Sequence, residues 1–196
     1  ELRPLAKLQL DLRSAACQEN IVMGPVAVEQ YVPPTHGALK VERKYYQMLV
    51  FLKHPKTGAM NLALNRSCIQ ADGRISINIQ WEQHGGIFLK EAMELGRPLP
   101  VALCIGVSPA VYLAAVSKLP YGTSEIEFAG GILGRPVEMV KCKTVGLEVP
   151  AAAEFVALFT DLLERSYISR VEAYAGETVT YSGEAVEAGY ATVRWK

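Results

Sequence analysis

Three apolar segments separated by two turn signals constrain this chain more than any other feature. Residues 45–53 (Tyr-Tyr-Gln-Met-Leu-Val-Phe-Leu-Lys) are rich in aromatic and branched side chains, which fit extended backbone. His54-Pro55-Lys56-Thr57-Gly58 follows, where proline presets φ and glycine tolerates a positive one. A second apolar segment, 59–69, ends before Ala71-Asp72-Gly73. The third places Ile75, Ile77 and Ile79 at alternate positions. This pattern predicts a three-stranded β-meander.

Beyond it the periodicity changes. Residues 86–96 predict a helix, with Phe88, Leu89, Ala92, Met93 and Leu95 as its apolar stripe and Gly96 as its stop. Leu99 to Val107 is a continuous apolar run of strand length, which fits a buried central strand. Ser108 then reads as a helix N-cap with Pro109 in the first turn. From Leu119 to Val156 the chain reads as a Gly-containing turn, a short helix capped by Ser124, a stop at Gly130-Gly131, and two strands joined by Val145-Gly146. From Ala151 onward Phe155, Leu158, Phe159, Leu162, Leu163 and Tyr167 predict an amphipathic helix of about 20 residues. Two β-rich stretches at 176–183 and 189–196 then predict a closing hairpin. At the other end, Leu5, Leu8, Leu10 and Leu12 alternate only in part, so a strand and an irregular lead-in are both open. Pro25, Pro33, Pro34 and Gly37 argue for loop or extended structure.

The mixture is an α+β chain: a lead-in over 1–40, a main domain over 41–154, and a C-terminal helix plus hairpin over 155–196. At 196 residues it is long enough for one domain with a small appendage. The formal net charge is zero, and the basic clusters at 40–44 and 53–56 are short and mixed. A nucleic-acid partner would show a basic excess or stripe, so none is expected. Cys17, Cys68, Cys104 and Cys142 are widely spaced with no CxxC pair, which predicts reduced, mostly buried thiols and no zinc. No apolar window is long enough to span a membrane and no export signal is seen, so a cytoplasmic protein is expected.

Several separated motifs, in one order, resemble the UbiD family of decarboxylases from about Cys17 to Val156. Cys17-Gln-Glu-Asn-Ile-Val-Met-Gly24 looks like that family's lead-in. Residues 54–66 are similar to its Asp-Pro-x-Thr-Gly-x-x-Asn-x-x-x-x-Arg turn and strand, with His54 where the pattern has Asp. Residues 99–125 are similar to its Pro-Val-Ala strand, Gly-x-x-Pro helix start and Pro-x-Gly-x-x-Glu turn. The resemblance implies a split β-barrel with flanking helices that binds prenylated FMN, its phosphate tied down by a divalent metal, usually manganese, with potassium beside it.

Carried over residue by residue, the resemblance makes Asn61, His84 and Glu125 the metal ligands and Arg66 the residue that contacts the flavin's reacting region. Amide and carboxylate oxygens with one imidazole suit Mn²⁺ or Mg²⁺ better than a thiol set would. Each residue also has a structural reading. Asn61 fits a strand start, His84 a helix cap before Gly85-Gly86, Glu125 a first-turn carboxylate against the helix dipole, and Arg66 an ion pair with an acid such as Asp72. Asn61 and Arg66 are five apart, so a regular strand points them to opposite faces. A twist, bulge or strand end between them is then required if both serve one face. Asn65 is a further polar candidate.

The chain departs from the family after Val149-Pro150-Ala-Ala-Ala-Glu154-Phe-Val156. The family's Glu-Gly-Pro-Phe-Gly-Glu loop, which carries its acid–base network, is not found. Glu154, Glu164, Glu172 and Glu177 are candidates for that role by position alone. Within residues 155–196, the stretch 155–181 is similar to part of the MlaC-type phospholipid-binding proteins. Three functions are therefore weighed: a prenylated-FMN decarboxylase of an aromatic or α,β-unsaturated acid, a non-catalytic flavin- or phosphate-binding module of a larger complex, and a lipid-binding protein. A homo-oligomer or a partner subunit is expected in the first two.

Overall fold

The computed structural model describes residues 4–9, 15–21, 44–69, 75–159, 171–172, 178–179 and 190–193. Strand β1 (Leu8–Gln9) and a single 3₁₀ turn (Ala16–Gln18) form the lead-in. The central unit begins with β2 (Lys44–Lys53) and β3 (Met60–Ile69), which pair antiparallel over their full lengths, from Lys44↔Ile69 to Lys53↔Met60. His54 and Gly58 close the turn between them, with Gly58 at φ +74°. Strand β4 (Ile75–Asn78) completes the meander, as the alternating isoleucines require.

Helix α1 (His84–Glu94) follows, then β5 (Val101–Ile105), α2 (Pro109–Val116) and α3 (Glu125–Leu133). Both predicted serine caps form: Ser108 Oγ accepts from Val111 N–H at 3.4 Å and Ser124 Oγ from Glu127 N–H at 3.3 Å. Strands β6 (Glu138–Lys141) and β7 (Glu148–Pro150) make a small sheet on which β1 lies parallel to β6. Strand β8 (Phe155–Phe159) pairs with β5. The remaining strands are β9 (Val171–Glu172), β10 (Thr178–Val179) and β11 (Tyr190–Val193). The main sheet runs β11-β4-β3-β2-β5-β8, antiparallel at every step.

Alternation along β2 makes two cores. Tyr46, Met48, Val50 and Leu52 face one side, with Ile75, Ile77, Phe88, Leu89, Val101 and Leu103. Leu49 and Phe51 face the other, with Leu62, Ala102 and Cys104, and there α2, α3 and the β6–β7 hairpin cover the sheet. This two-sided burial explains why residues 99–107 read as an unbroken apolar run.

Four expectations change. Gly130 and Gly131 do not stop α3; it continues to Leu133 and ends at Gly134, φ +67°. Gly130 is there for close approach instead, since a Cβ would lie 3.1 Å from Leu5 O. Met93 and Leu95 do not join the buried stripe of α1 and are exposed. Phe155–Phe159 is strand, not the start of a helix. Five residues fit either period, and pairing with the buried β5 decides the matter. Finally, β10 pairs with β9 and β11 with β4, so they do not form a hairpin with each other. The rest of the predicted C-terminal helix, the proline-rich 24–40 stretch and the Ala71-Asp72-Gly73 turn lie outside the described residues. All four cysteines are free thiols, Cys68 and Cys104 buried and Cys17 and Cys142 half-buried. Among the described residues no helix is long and apolar enough to cross a membrane.

Phe51 is fully buried between β2 and the α2–α3 layer. Phe51→Ala is expected to cost about 3–5 kcal/mol, read from urea unfolding.

Candidate cofactor site

The site begins where two strands part. β4 pairs with β3 only at Ser67, Cys68 and Ile69 and then leaves it. The parting is fixed by Asn65, buried, whose Nδ2 donates to Asn78 O at 2.6 Å where a ladder bond would otherwise continue. From Met60 to Arg66 the edge of β3 away from β2 is therefore open among the described strands. Leu62 shows which groups face it: its N–H turns away from β2 and donates to Glu125 Oε2 at 3.3 Å. In an antiparallel ladder the outward direction recurs at every second residue, so Leu64 and Arg66 also present N–H and C=O to this edge.

Glu125 is brought there by the turn Pro120-Tyr121-Gly122, made possible by φ +86° at Gly122, and by the Ser124 cap. Glu125 is 6 % exposed. Burial raises its pKa, while N–H groups of Glu125 itself and Leu62 pull the other way. The net direction is up, because burial outweighs the two N–H groups.

His84 is the first residue of α1; Gln83, not His84, is the cap residue. Two glycines let the helix start this close. A Cβ on Gly85 would lie 3.2 Å from Leu52 Cδ1 and 3.8 Å from Asn61 Nδ2. A Cβ on Gly86 would lie 2.3 Å from Gln80 O. The His84 ring meets Tyr121 edge-on, centroids 5.0 Å apart. Asn61, buried on β3, thus has the Gly85 backbone on one side and the Leu62–Glu125 bond on the other.

Asn61, the first turn of α1 that begins with His84, and the Glu125 carboxyl all lie at the start of β3. Arg66 does not join them. The β2–β3 ladder is continuous through Asn61↔Leu52 and Arg66↔Gln47, with no bulge, so Arg66 lies exposed on the opposite face and farther along the strand. Its neighbour Gln47 accepts from the Tyr112 hydroxyl at 3.3 Å. Among the described residues Arg66 has no ion-pair partner; Asp72 lies outside them. Glu154 is exposed and drapes over Gly106, where a Cβ would meet it at 2.6 Å. Glu164 and Glu177, and the side chain of Glu172, lie outside the described residues.

The chain matches a family model over residues 10–187, that of the UbiD 3-octaprenyl-4-hydroxybenzoate carboxy-lyase Rift-related domain. It belongs to the UbiD family. Ferulic acid decarboxylase 1 of Saccharomyces cerevisiae is 31% identical over 160 residues, 80% of this chain and 32% of that protein. An uncharacterised Synechocystis protein is 39% identical over 110 residues, 55% of this chain and 22% of that one. Among solved structures, an evolved dimeric form of the UbiD-class enzyme HmfF from Pelotomaculum thermopropionicum, in complex with prenylated FMN, superposes with a TM-score of 0.78 at 30% identity. That match covers 97% of this chain and 44% of that one. The UbiD chain described here thus spans less than half the length of these relatives.

The donor set suits the metal that the family resemblance implies. Within this UbiD site, a buried carboxyl, a buried amide and an imidazole at a helix start offer two hard oxygens and one nitrogen, as Mn²⁺ or Mg²⁺ prefers. Among the described residues no group of three or more His, Cys, Asp or Glu side chains forms a metal cluster.

Sequence reasoning missed three parts of the site. Tyr121 could be suspected only as an aromatic beside a turn glycine. Asn65 was visible as polar, but its part in separating the strands was not. Gly86 carries a signal, a second glycine at a helix start, where propensity alone disfavours it.

Gly86→Ala is expected to destabilise the fold by about 1–3 kcal/mol, because the methyl meets backbone rather than a flexible side chain; thermal unfolding reads this. Glu125 has a folded pKa above the free value of 4.5. Its contribution to stability is therefore full below that pH and is lost as pH rises through the folded pKa. Metal-free wild type should lose stability as pH is raised above 4.5, and Glu125→Gln should flatten that part of the profile.

Proposed function

We propose that this chain is the cofactor-binding part of a prenylated-FMN-dependent decarboxylase acting on an aromatic or α,β-unsaturated acid. The observation that carries the reading is the open edge of β3, with buried Glu125 at one end and the exposed cation of Arg66 at the other. Five residues of strand span about 17 Å. That is the scale of a ligand with a phosphate at one end and a ring system at the other. Outward N–H and C=O groups of Leu64 and Arg66 match the donors and acceptors of a flavin's pyrimidine edge. The two-core sheet is then the family's split barrel.

In this reading Asn61, His84 and Glu125 hold Mn²⁺ or Mg²⁺, with potassium beside it, and the metal neutralises the cofactor phosphate. The bound cofactor supplies the electron sink into which the carboxylate's bonding pair passes as CO₂ leaves. The chain's residues orient and tune. Glu125, deprotonated by the cation, stays an acceptor for Leu62 N–H and fixes the start of β3 to α3. Arg66, with no ion-pair partner among the described residues and on the strand face opposite Asn61, binds the substrate carboxylate. Leu49 and Leu64, beside the Gln47–Arg66 pair on the same face, supply an apolar wall for an unsaturated acid. Assembly with a second copy or with a partner subunit, in the cytoplasm, belongs to the same proposal.

One observation favours a second reading, a flavin- or phosphate-binding module without turnover. Among the described residues no carboxylate reaches Arg66, and a general acid typically contributes 10²–10⁴-fold, on the order of half the work of a modest enzyme. A lipid-binding reading has no such support, since the UbiD match itself runs through residue 187.

The test is cofactor retention. Co-expressed with a flavin prenyltransferase, the purified chain should carry prenylated FMN by absorbance and ligand mass, and stoichiometric manganese by elemental analysis. Glu125→Ala should lose both. A colourless, metal-free but folded wild type would defeat the proposal; cofactor without decarboxylation of cinnamic- or benzoic-type acids would leave the module.

A further inference from the structure

The polar cluster that the site does not use lies two turns down α1. His54 is 7 % exposed and stands in the β2–β3 turn. Its Nδ1 accepts from the backbone N–H of Lys56 at 3.1 Å and of Thr57 at 3.4 Å. An acceptor nitrogen carries no hydrogen, so the ring proton sits on Nε2. Nε2 lies 3.5 Å from Glu91 Oε2, and Lys56 Nζ lies 3.3 Å from the same oxygen. That oxygen is buried and makes no hydrogen bond among the described residues; these two nitrogens approach it as ion-pair contacts. The imidazole also rests on Phe88, centroids 4.8 Å apart. A shorter acceptor such as the Asp of the family pattern would complete the turn alone. His54 completes the turn with one nitrogen and faces the helix with the other.

Glu91 and His84 are seven residues apart on α1, almost two full turns, and therefore share a face. The apolar contacts of α1, through Phe88, Leu89 and Ala92, are non-directional and resist lifting more than sliding or rotation. A polar contact between a fixed turn and one carboxylate of the helix resists both. We propose that His54 and Glu91 are positioning residues that set the rotation and height of α1 and thereby aim His84 at Asn61 and Glu125. This inference rests on the reading of Asn61, His84 and Glu125 as cation ligands.

The experiment titrates Mn²⁺ alone into the full chain by calorimetry and electron paramagnetic resonance. Two variants separate the roles of His54. His54→Asn keeps an acceptor for the two turn N–H groups and loses the reach to Glu91. Glu91→Gln keeps the shape of the helix and loses the charge. Each is expected to weaken Mn²⁺ binding about 10-fold or more, the usual scale for groups that orient a metal ligand. A general loss of structure would weaken binding in any background, so the deciding readout is a double-mutant cycle. Added to His84→Ala, Glu91→Gln should weaken Mn²⁺ binding no further. Wild-type affinity in both variants, or an undiminished effect of Glu91→Gln on His84→Ala, overturns the positioning role while the ligand reading stands. A wild type that binds no Mn²⁺ overturns the ligand reading and the inference with it.

Discussion

The hydrogen bond from Leu62 N–H to the Glu125 carboxylate is the interaction on which the arrangement turns. In a continuous sheet that N–H would belong to the next strand. Here β4 has already left, and a side chain from the opposite layer takes its place. Buried backbone groups must be satisfied, and leaving one unpaired costs on the order of 1–3 kcal/mol. A gap inside a six-stranded sheet is therefore stable only if side chains or a ligand fill it. Asn65 holds one end of the gap and Glu125 the other, each by one bond across it. The stretch between them has no protein partner among the described residues, which is what a recognition edge requires.

The same gap explains the glycines. Once β4 leaves β3, the chain turns at Gln80–Gln83 and must start α1 against Leu52 and Asn61. Gly85 lies close against Leu52 and Asn61, and Gly86 leaves no room for a Cβ beside the Gln80–Trp81 backbone; each loses helix propensity of about 1 kcal/mol for that approach. The cost is met by burial of Phe88, Leu89 and Ala92. Local preference and tertiary packing disagree here, and disagreement of this kind marks a site more often than a core.

Much of this was legible in the sequence. The meander, the two serine caps, the central apolar strand and the β6–β7 pair are local signals, and local chemistry decided them. Asn61, His84 and Glu125 are proposed as one set because their motifs are ordered along the chain. That they lie at the start of β3 depends on β4 parting from β3, which rests on the Asn65–Asn78 bond between distant residues and leaves no periodic trace. Phe155–Phe159 shows the converse case. Its spacing fits a helix, yet the free edge of β5 captured it as a strand. Gly130-Gly131 looked like a stop because sequence shows a missing Cβ but not the Leu5 backbone that needs the space.

The five-residue spacing of Asn61 and Arg66 posed a difficulty that the structure answers without a bulge. On a regular strand the two side chains point to opposite faces, and the unbroken β2–β3 ladder shows that they do. A ligand lying on either face would meet only one of them. A ligand lying along the edge meets both, because an edge is shared by the two faces and backbone groups between them point straight at it. The division also separates two electrostatic tasks. A cation held at Asn61 and a guanidinium at Arg66 would repel if they shared a pocket, and at about 17 Å that repulsion is screened by more than a Debye length in physiological salt. If Asn61 holds a cation and Arg66 meets the substrate, as proposed above, their places at opposite ends and on opposite faces of one open edge let each act on its own anion.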